Sequence, residues 1–223
     1  MYGGLGNDRF YVDEETDRVV ENADAGFDNV YSSINYMLGV NVEQLKLTGA
    51  ADLTGRGNEL DNLLIGNTGA NSLSGREGDD QLRGMEGDDL LNGDAGDDRL
   101  LAGTGDDVLE GDTGRDDMTG DAGADSFVFR DGDFASETRV GADRIRDFTR
   151  GDGDQIDLHR VDANTLTAGN GTFRFIGADA FGGNAGELRA QQVGSNTFVF
   201  GDTDGDRAAD FAIQVDGQQQ LVA

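Results

Sequence analysis

Between Gly66 and Val128 the chain consists of seven consecutive nine-residue units: GNTGANSLS, GREGDDQLR, GMEGDDLLN, GDAGDDRLL, AGTGDDVLE, GDTGRDDMT and GDAGADSFV. Three residue classes stay in phase through all seven. Position 4 is always glycine: Gly69, Gly78, Gly87, Gly96, Gly105, Gly114 and Gly123. Position 6 is Asn71 followed by Asp80, Asp89, Asp98, Asp107, Asp116 and Asp125. Position 8 is apolar: Leu73, Leu82, Leu91, Leu100, Leu109, Met118 and Phe127. Position 1 is glycine, as at Gly75, Gly84 and Gly93, except at Ala102. The preference of turns for Asp and Gly does not impose a nine-residue beat. Glycine at positions 1 and 4 permits positive φ and close backbone approach in a sharp turn. The tripeptide around position 8 reads as a very short strand with one inward side chain.

The rest of the composition narrows the function. Thirty-six glycines in 223 residues is about twice the usual share of roughly 7%. Together with a net charge of −28 this would suit disorder, but 36% of residues are hydrophobic and the glycines are periodic. Seventeen Lys+Arg against 45 Asp+Glu disfavours nucleic acid and anionic membrane surfaces as partners. With no cysteine there is no disulfide framework, thiolate metal site or cysteine nucleophile. No apolar run approaches the roughly 20 residues of a membrane helix. The single histidine, His159, rules out multi-histidine zinc sites, leaves a Ser-His-Asp triad without support, and reads as a surface residue.

The unit resembles the RTX nonapeptide GGxGxDxUx, a calcium-binding repeat. Residues 3–11, GGLGNDRFY, match that consensus at every specified position, with Gly6 at position 4 and Asp8 at position 6. The main array departs at position 2, where only Gly103 is glycine. The resemblance implies an all-β fold, a parallel β-roll in which two nonapeptides make one turn and residues 18 apart stack. Asp80, Asp98 and Asp116 would then line one edge, and Asn71, Asp89, Asp107 and Asp125 the other. Rungs about 4.8 Å apart place bare carboxylates where each pair repels by roughly 0.9 kcal/mol in water and about 3.5 kcal/mol at an effective dielectric of 20. A hard dication bound by oxygens of successive rungs turns that repulsion into a cross-link, and Ca²⁺, with 6–8 flexible oxygen ligands, suits this better than Mg²⁺. The expectation is several Ca²⁺ ions, about five in the main array, held by the position-6 side chains and the glycine backbone named above. The Asn71–Asp89 pair is expected to be the weakest. The position-5 aspartates Asp79, Asp88, Asp97 and Asp106 are expected to point to solvent. An upstream copy, GNELDNLLI (57–65), has Leu60 and Asn62 at positions 4 and 6 and reads as a rung without a good metal site.

The flanks extend the resemblance. Residues 12–56 carry β-prone runs at Arg18–Val20, Asn29–Ser33 and Glu43–Thr48, similar to the irregular rungs that precede RTX arrays. Tyr2, Phe10, Tyr11, Phe27, Tyr31 and Tyr36 could form a sugar-stacking face; core or rung-stacking roles are the commoner outcome. After Val128 the beat stops. The runs GADRIRDFTRGDGDQIDLHRVDAN (141–164), FRFIGADAFGGNAGELRA (173–190) and TFVFGDTDGDRAADFAIQV (197–215) resemble the C-terminal domain of serralysin-type metalloproteases, which closes the β-roll and carries the type I secretion signal. Within DTDGDRAAD, Asp202, Asp204, Asp206 and Asp210 have the opening spacing of an EF-hand loop without its twelfth-position Glu. They form either a Ca²⁺ site or an Asp-Gly hairpin turn.

The expected organisation is irregular solenoid rungs over 1–56, the RTX β-roll over 57–128 and a C-terminal β-rich capping and secretion-signal domain over 129–223. The serralysin HExxH motif is absent, so the resemblance implies a non-catalytic module. It would fold on meeting Ca²⁺ outside the cell and support type I secretion and stability of a larger secreted bacterial protein, with the type I secretion machinery as partner. The abrupt ends, Met1-Tyr2 and Leu221-Val222-Ala223, are expected to mark an excised portion of that protein. The alternative is a Ca²⁺-dependent polysaccharide-binding or adhesion module, as in the repeat modules of mannuronan epimerases or bacterial adhesins. Its arginines (Arg76, Arg83, Arg99, Arg115) are sparse, so an anionic glycan would need Ca²⁺ as a bridge.

Overall fold

The computed structural model describes residues 1–23, 26–134 and 139–222. Their regular structure is all β. The strands are β1 (Arg9–Val12), β2 (Asn29–Ser32), β3 (Tyr36–Met37), β4 (Gln44–Leu47), β5 (Thr54–Arg56), β6 (Leu63–Ile65) and β7 (Ser72–Glu77). They continue as β8 (Gln81–Glu86), β9 (Leu90–Ala95), β10 (Arg99–Thr104), β11 (Val108–Thr113), β12 (Asp117–Ala122) and β13 (Ser126–Arg130). Last come β14 (Asp143–Ile145), β15 (Gln155–Arg160), β16 (Arg174–Phe175), β17 (Glu187–Val193), β18 (Asn196–Asp202) and β19 (Phe211–Val215).

From β2 to β16 successive strands go to opposite sheets. One sheet has the order β1-β2-β4-β6-β8-β10-β12-β14-β19-β18-β17-β16, the other β15-β13-β11-β9-β7-β5-β3. In the array the pairing is parallel and 18 residues apart, as in Gln81↔Arg99↔Asp117. Two units per turn and an all-β parallel roll therefore hold as expected. The strand is longer than the anticipated tripeptide: β8, β9 and β10 are six residues each, running from position 7 of one unit to position 3 of the next. The turn takes positions 4 to 6.

Backbone conformation explains the consensus. Position 2 is left-handed at Arg76 (φ 87°), Met85 (91°), Asp94 (71°), Asp112 (62°) and Asp121 (66°), where a non-glycine residue costs about 1–2 kcal/mol. Position 4 is left-handed too, and it is crowded. A Cβ on Gly87 would lie 2.6 Å from the carbonyl oxygen of Gly69, one turn earlier.

Position 8 fills the space between the sheets. Leu64, Leu73, Leu82, Leu91, Leu100, Leu109, Met118 and Phe127 form a single file of buried side chains. Each rung contributes one of them, at roughly 1.5–3 kcal/mol of burial.

The stack does not end where the nine-residue beat ends. β14 pairs with β12 (Met118↔Ile145) and β15 with β13 (Phe127↔Ile156), both parallel. At the other end β1, β2, β4 and β6 add rungs with longer loops. Of the expected early strands, Asn29–Ser32 and Gln44–Leu47 form; near Arg18–Val20 there is only a bridge from Val20 to Tyr2. The C-terminal end is closed by the antiparallel strands β17, β18 and β19. Beneath them Phe129, Phe134, Phe173 and Phe211 stack in a chain, with Phe134 and Phe211 centroids 4.2 Å apart. Arg144 on β14 makes a two-pronged contact with Asp216 after β19, tying cap to roll.

His159 lies on the surface, with 92% of its side chain exposed beside Asp157. The early aromatics divide. Phe10 is core and Tyr36 packs against it, while Tyr11 stacks on Tyr31 at 5.3 Å on the outer face. Tyr2 and Phe27 are exposed.

Because Leu91 is fully buried in the single file, Leu91→Asp should abolish the folded far-UV circular dichroism spectrum even in excess calcium. An unchanged spectrum would contradict the inward placement of position 8.

Candidate metal centres

The turn at positions 4 to 6 brings each position-6 aspartate to the roll's edge, with its carboxylate folded inward. One oxygen is spoken for. Asp98 Oδ1 accepts from the Asp80 N–H at 2.7 Å and Asp116 Oδ1 from the Asp98 N–H at 2.9 Å. On the opposite edge Asp107 Oδ1 accepts from Asp89 N–H (2.7 Å) and Asp125 Oδ1 from Asp107 N–H (3.0 Å). The two ladders are those expected from the 18-residue stacking.

The other oxygen has no partner. Oδ2 of Asp80, Asp89, Asp98, Asp107, Asp116 and Asp125 is buried and without a hydrogen bond. A buried acceptor left this way costs about 1–3 kcal/mol, and more when charged. Six in register require an explanation, of which a bound ion is one. The surroundings fit one. In five of the six units Oδ2 sits against the position-1 glycine of its own unit, in space that a Cβ there would fill: Gly75 for Asp80, Gly84 for Asp89, Gly93 for Asp98, Gly111 for Asp116 and Gly120 for Asp125; in the unit of Asp107 that position is Ala102. Backbone carbonyls of the next rung reach the same space. Gly93 O lies 2.6 Å from the Cβ position of Gly75, Ala102 O 2.6 Å from that of Gly84, and Gly111 O 2.8 Å from that of Gly93. The donor set is all oxygen, carboxylate plus carbonyl, which suits Ca²⁺ and offers nothing to a soft metal.

Burial shows in the carboxyl chemistry. Desolvation, reinforced by neighbouring carboxylates and opposed by the backbone N–H bond, pushes Asp80, Asp89 and Asp98 up to about 7. Asp116, facing Asp143, reaches about 8. Asp107 and Asp125 rise to about 6.

Asn71 is held differently from the aspartates. Its Oδ1 accepts from Asn67 N–H (2.7 Å) and its Nδ2 donates to Asn67 Oδ1 (3.0 Å). One unit earlier the Asn62 amide donates to the Val42 carbonyl at 3.1 Å, and Asn58 Nδ2 donates to the carbonyls of Gly39 (2.7 Å) and Val42 (2.8 Å). In these rungs side-chain amides bond the carbonyls internally. The position-4 glycines, including Gly69, Gly78, Gly96, Gly105, Gly114 and Gly123, pack on carbonyls of the preceding turn. Gly6 lies open at the first unit.

The position-5 aspartates are exposed, as expected, but not idle. Asp79 Oδ1 accepts from Asp97 N–H, Asp97 Oδ1 from Arg115 N–H and Asp88 Oδ1 from Asp106 N–H, each at 2.9 Å. This outer ladder bonds forward along the chain while the inner one bonds backward, so the two clamp adjacent rungs from both sides.

The inner ladder also runs past the repeat. Asp116 N–H donates to Asp143 Oδ1 and Asp125 N–H to Asp154 Oδ1. Upstream, Asp8 N–H donates to Asp28 Oδ1, and Asp28 N–H to Glu43 Oε2. Asp28, Glu43, Asp143 and Asp154 were not foreseen. The fragments GFDNV (26–30) and GADRI (141–145) carry positions 4 to 8 of the unit and were the signal.

In the 202–210 loop, Asp202, Asp204 and Asp210 converge, with one carboxylate oxygen of each within 4.8 Å of the others. Asp206 stands outside that group. Both Asp202 oxygens accept backbone bonds, from Gly205 and Arg207 N–H, and Asp210 accepts from Thr203. The loop joins antiparallel β18 and β19, so the hairpin is present, and its converging carboxylates form a further candidate cation site.

The family described as Peptidase M10 serralysin C terminal matches residues 71–223. The RTX calcium-binding nonapeptide repeat (4 copies) matches residues 1–19. An endo-1,3-1,4-beta-glycanase, ExsH, of Rhizobium meliloti (strain 1021) is 36% identical over 69 residues, 31% of this chain and only 15% of that protein's length. The solution structure of the AlgE6R3 subunit of the Azotobacter vinelandii mannuronan C5-epimerase covers 71% of each chain at 24% identity, with a TM-score of 0.39.

The metal-free chain should be most stable in acid. Its folded carboxyls titrate near 6 to 8 against an ordinary 3.8. The stabilisation is therefore fully present below about pH 4 and lost as pH rises through 6 to 8. Circular dichroism without calcium should show more β-structure at pH 4.5 than at pH 8, and calcium added near pH 6.5 should release protons in a pH-stat. Less β-structure in acid would contradict the burial of these groups.

Proposed function

The chain belongs to the Peptidase M10 serralysin C-terminal family, and from that premise we propose that it is a non-catalytic, calcium-dependent folding module supporting type I secretion of a larger protein. Its RTX repeats bind calcium. One observation carries the finer reading: six in-register carboxylate oxygens buried without partners. At neutral pH such a roll needs either protons or cations in its turns. In calcium-poor cytosol the −28 chain stays expanded, a state suited to export through a narrow channel. Outside, extracellular calcium modules have Kd around 10⁻⁴–10⁻³ M. The site residues of this reading are Asp80, Asp89, Asp98, Asp107, Asp116 and Asp125, with the carbonyls of Gly93, Ala102 and Gly111.

The magnitudes suffice. Binding confined to the folded state contributes about 1.4 kcal/mol per site at ten times Kd. About five sites supply roughly 7 kcal/mol, against total domain stabilities of about 5–15 kcal/mol. Rungs that contact only their neighbours make the transition cooperative.

A calcium titration from EGTA, followed by far-UV circular dichroism with magnesium as control, tests this. The expected result is a cooperative coil-to-β transition with calcium and none with magnesium; full β-structure in EGTA at pH 8 would refute the switch. Asp98→Ala should raise the calcium midpoint more than Asn71→Ala. Asp98 loses both a bond to Asp80 N–H and an unpartnered oxygen, whereas Asn71 is already satisfied by Asn67.

A further inference from the structure

The first unit of the chain sits in a rung unlike those of the array. Asp8 Oδ2, both carboxylate oxygens of Glu21 and Asp28 Oδ2 are buried without hydrogen-bond partners. Glu21 is 5% exposed and Asp28 is completely buried. One oxygen from each of the three residues lies within 4.8 Å of the other two. Among the described residues no salt bridge reaches any of them. From this geometry we infer that Glu21 and Asp28, which the nonapeptide motif does not encode, join Asp8 of the first unit in a tri-carboxylate divalent-cation site for a hard oxygen-seeking ion, distinct from the carboxylate-plus-carbonyl cradles of the array.

Glu21 is what sets it apart. The Tyr2↔Val20 bridge aligns Glu21 with Gly3, so it occupies the place of a position-1 glycine one turn on. In the array that place supplies a carbonyl to the cradle, as Gly93 does for Asp80. Here it supplies a carboxylate: a Cβ on Gly3 would collide with Glu21 Oε1 and lie 2.7 Å from Asp8 Oδ2. Glu21's own carbonyl is taken by Asn41 Nδ2 at 3.2 Å, leaving the side chain as its contribution. Asp28 is locked in place, with Oδ1 accepting from Asp8 N–H at 2.8 Å and its own N–H bonded to Glu43. Three converging carboxylates carry more charge than the carboxylate-plus-carbonyl cradles of the array. Charge count tunes affinity in oxygen sites, so this site fills first. It also pins the longer loops of the early rungs, which lack the regular beat.

The inference rests on the calcium-binding reading of the chain, but its test is separable. All four tyrosines (Tyr2, Tyr11, Tyr31, Tyr36) lie within the first 36 residues. Tyr2 adjoins Gly3, and β1 and β2 begin directly after Asp8 and Asp28. Tyrosine-sensitised Tb³⁺ luminescence, a short-range effect, therefore reports this site and not the array. Titrating Tb³⁺ into the full chain should give sensitised emission. Glu21→Gln removes a charge and Gly3→Ala puts a methyl in the cradle without touching a charge. Each should raise the half-saturating Tb³⁺ concentration by at least about tenfold, while the calcium-driven circular dichroism transition keeps its amplitude. Asp98→Ala should leave the emission unchanged. Emission unaffected by both Glu21→Gln and Gly3→Ala, or lost equally in Asp98→Ala, overturns the site. A missing circular dichroism transition with emission intact would instead count against the array reading and support this site as independent.

Discussion

Everything in this roll turns on the inward carboxylate of position 6. It is the one side chain that must be polar, buried and repeated in the same place on every turn. One oxygen bonds the N–H of the preceding turn and fixes the vertical register. The other is left facing a glycine and a carbonyl. A stack of such groups at neutral pH is electrostatically unfavourable in a medium of low effective dielectric. The same stack becomes a column of cross-links once positive charge occupies the turns. The glycines follow from this, because position 1 leaves room beside Oδ2 in every unit but that of Ala102, and position 4 lets turns touch.

The chain solves this problem in two ways along its length. Over Asp80 to Asp125 the Oδ2 acceptors have no donor among the described residues. Over residues 57–74, asparagines at positions 2 and 6 supply amide N–H groups, and the carbonyls that would otherwise converge on empty space are bonded internally. An amide is a neutral donor and acceptor in one group, so these rungs need no ion. Where Asp replaces Asn at position 6, the same backbone geometry leaves one carboxylate oxygen without a hydrogen-bond partner.

Much of this was legible in the residues. Period nine, with glycine, aspartate and an apolar residue in phase, defined the unit and its core side chain, and the RTX resemblance, with two units per turn, implied both carboxylate ladders. The parts that were not legible share a cause. Asp28, Glu43, Asp143 and Asp154 join the inner ladder across loops of irregular length, and a sequence period is lost once loop length varies even though stacking is kept. The position-5 aspartates read as solvated charges because exposure and hydrogen bonding to the next turn look alike in sequence. The spacing of the 202–210 loop did not show that its carboxylates both bond their own backbone and bring Asp202, Asp204 and Asp210 together.

By itself, then, the sequence determined the repeat and the oxygen-only chemistry of its turns, because those depend on short-range spacing and residue type, and the parallel roll followed from the resemblance that the repeat carries. Tertiary structure alone decided which oxygens remain without partners. It also decided which carbonyls complete each cradle, and that Glu21 meets Asp8 and Asp28. Those facts depend on contacts between turns 18 or more residues apart, whose register is set by the accumulated lengths of the loops between them.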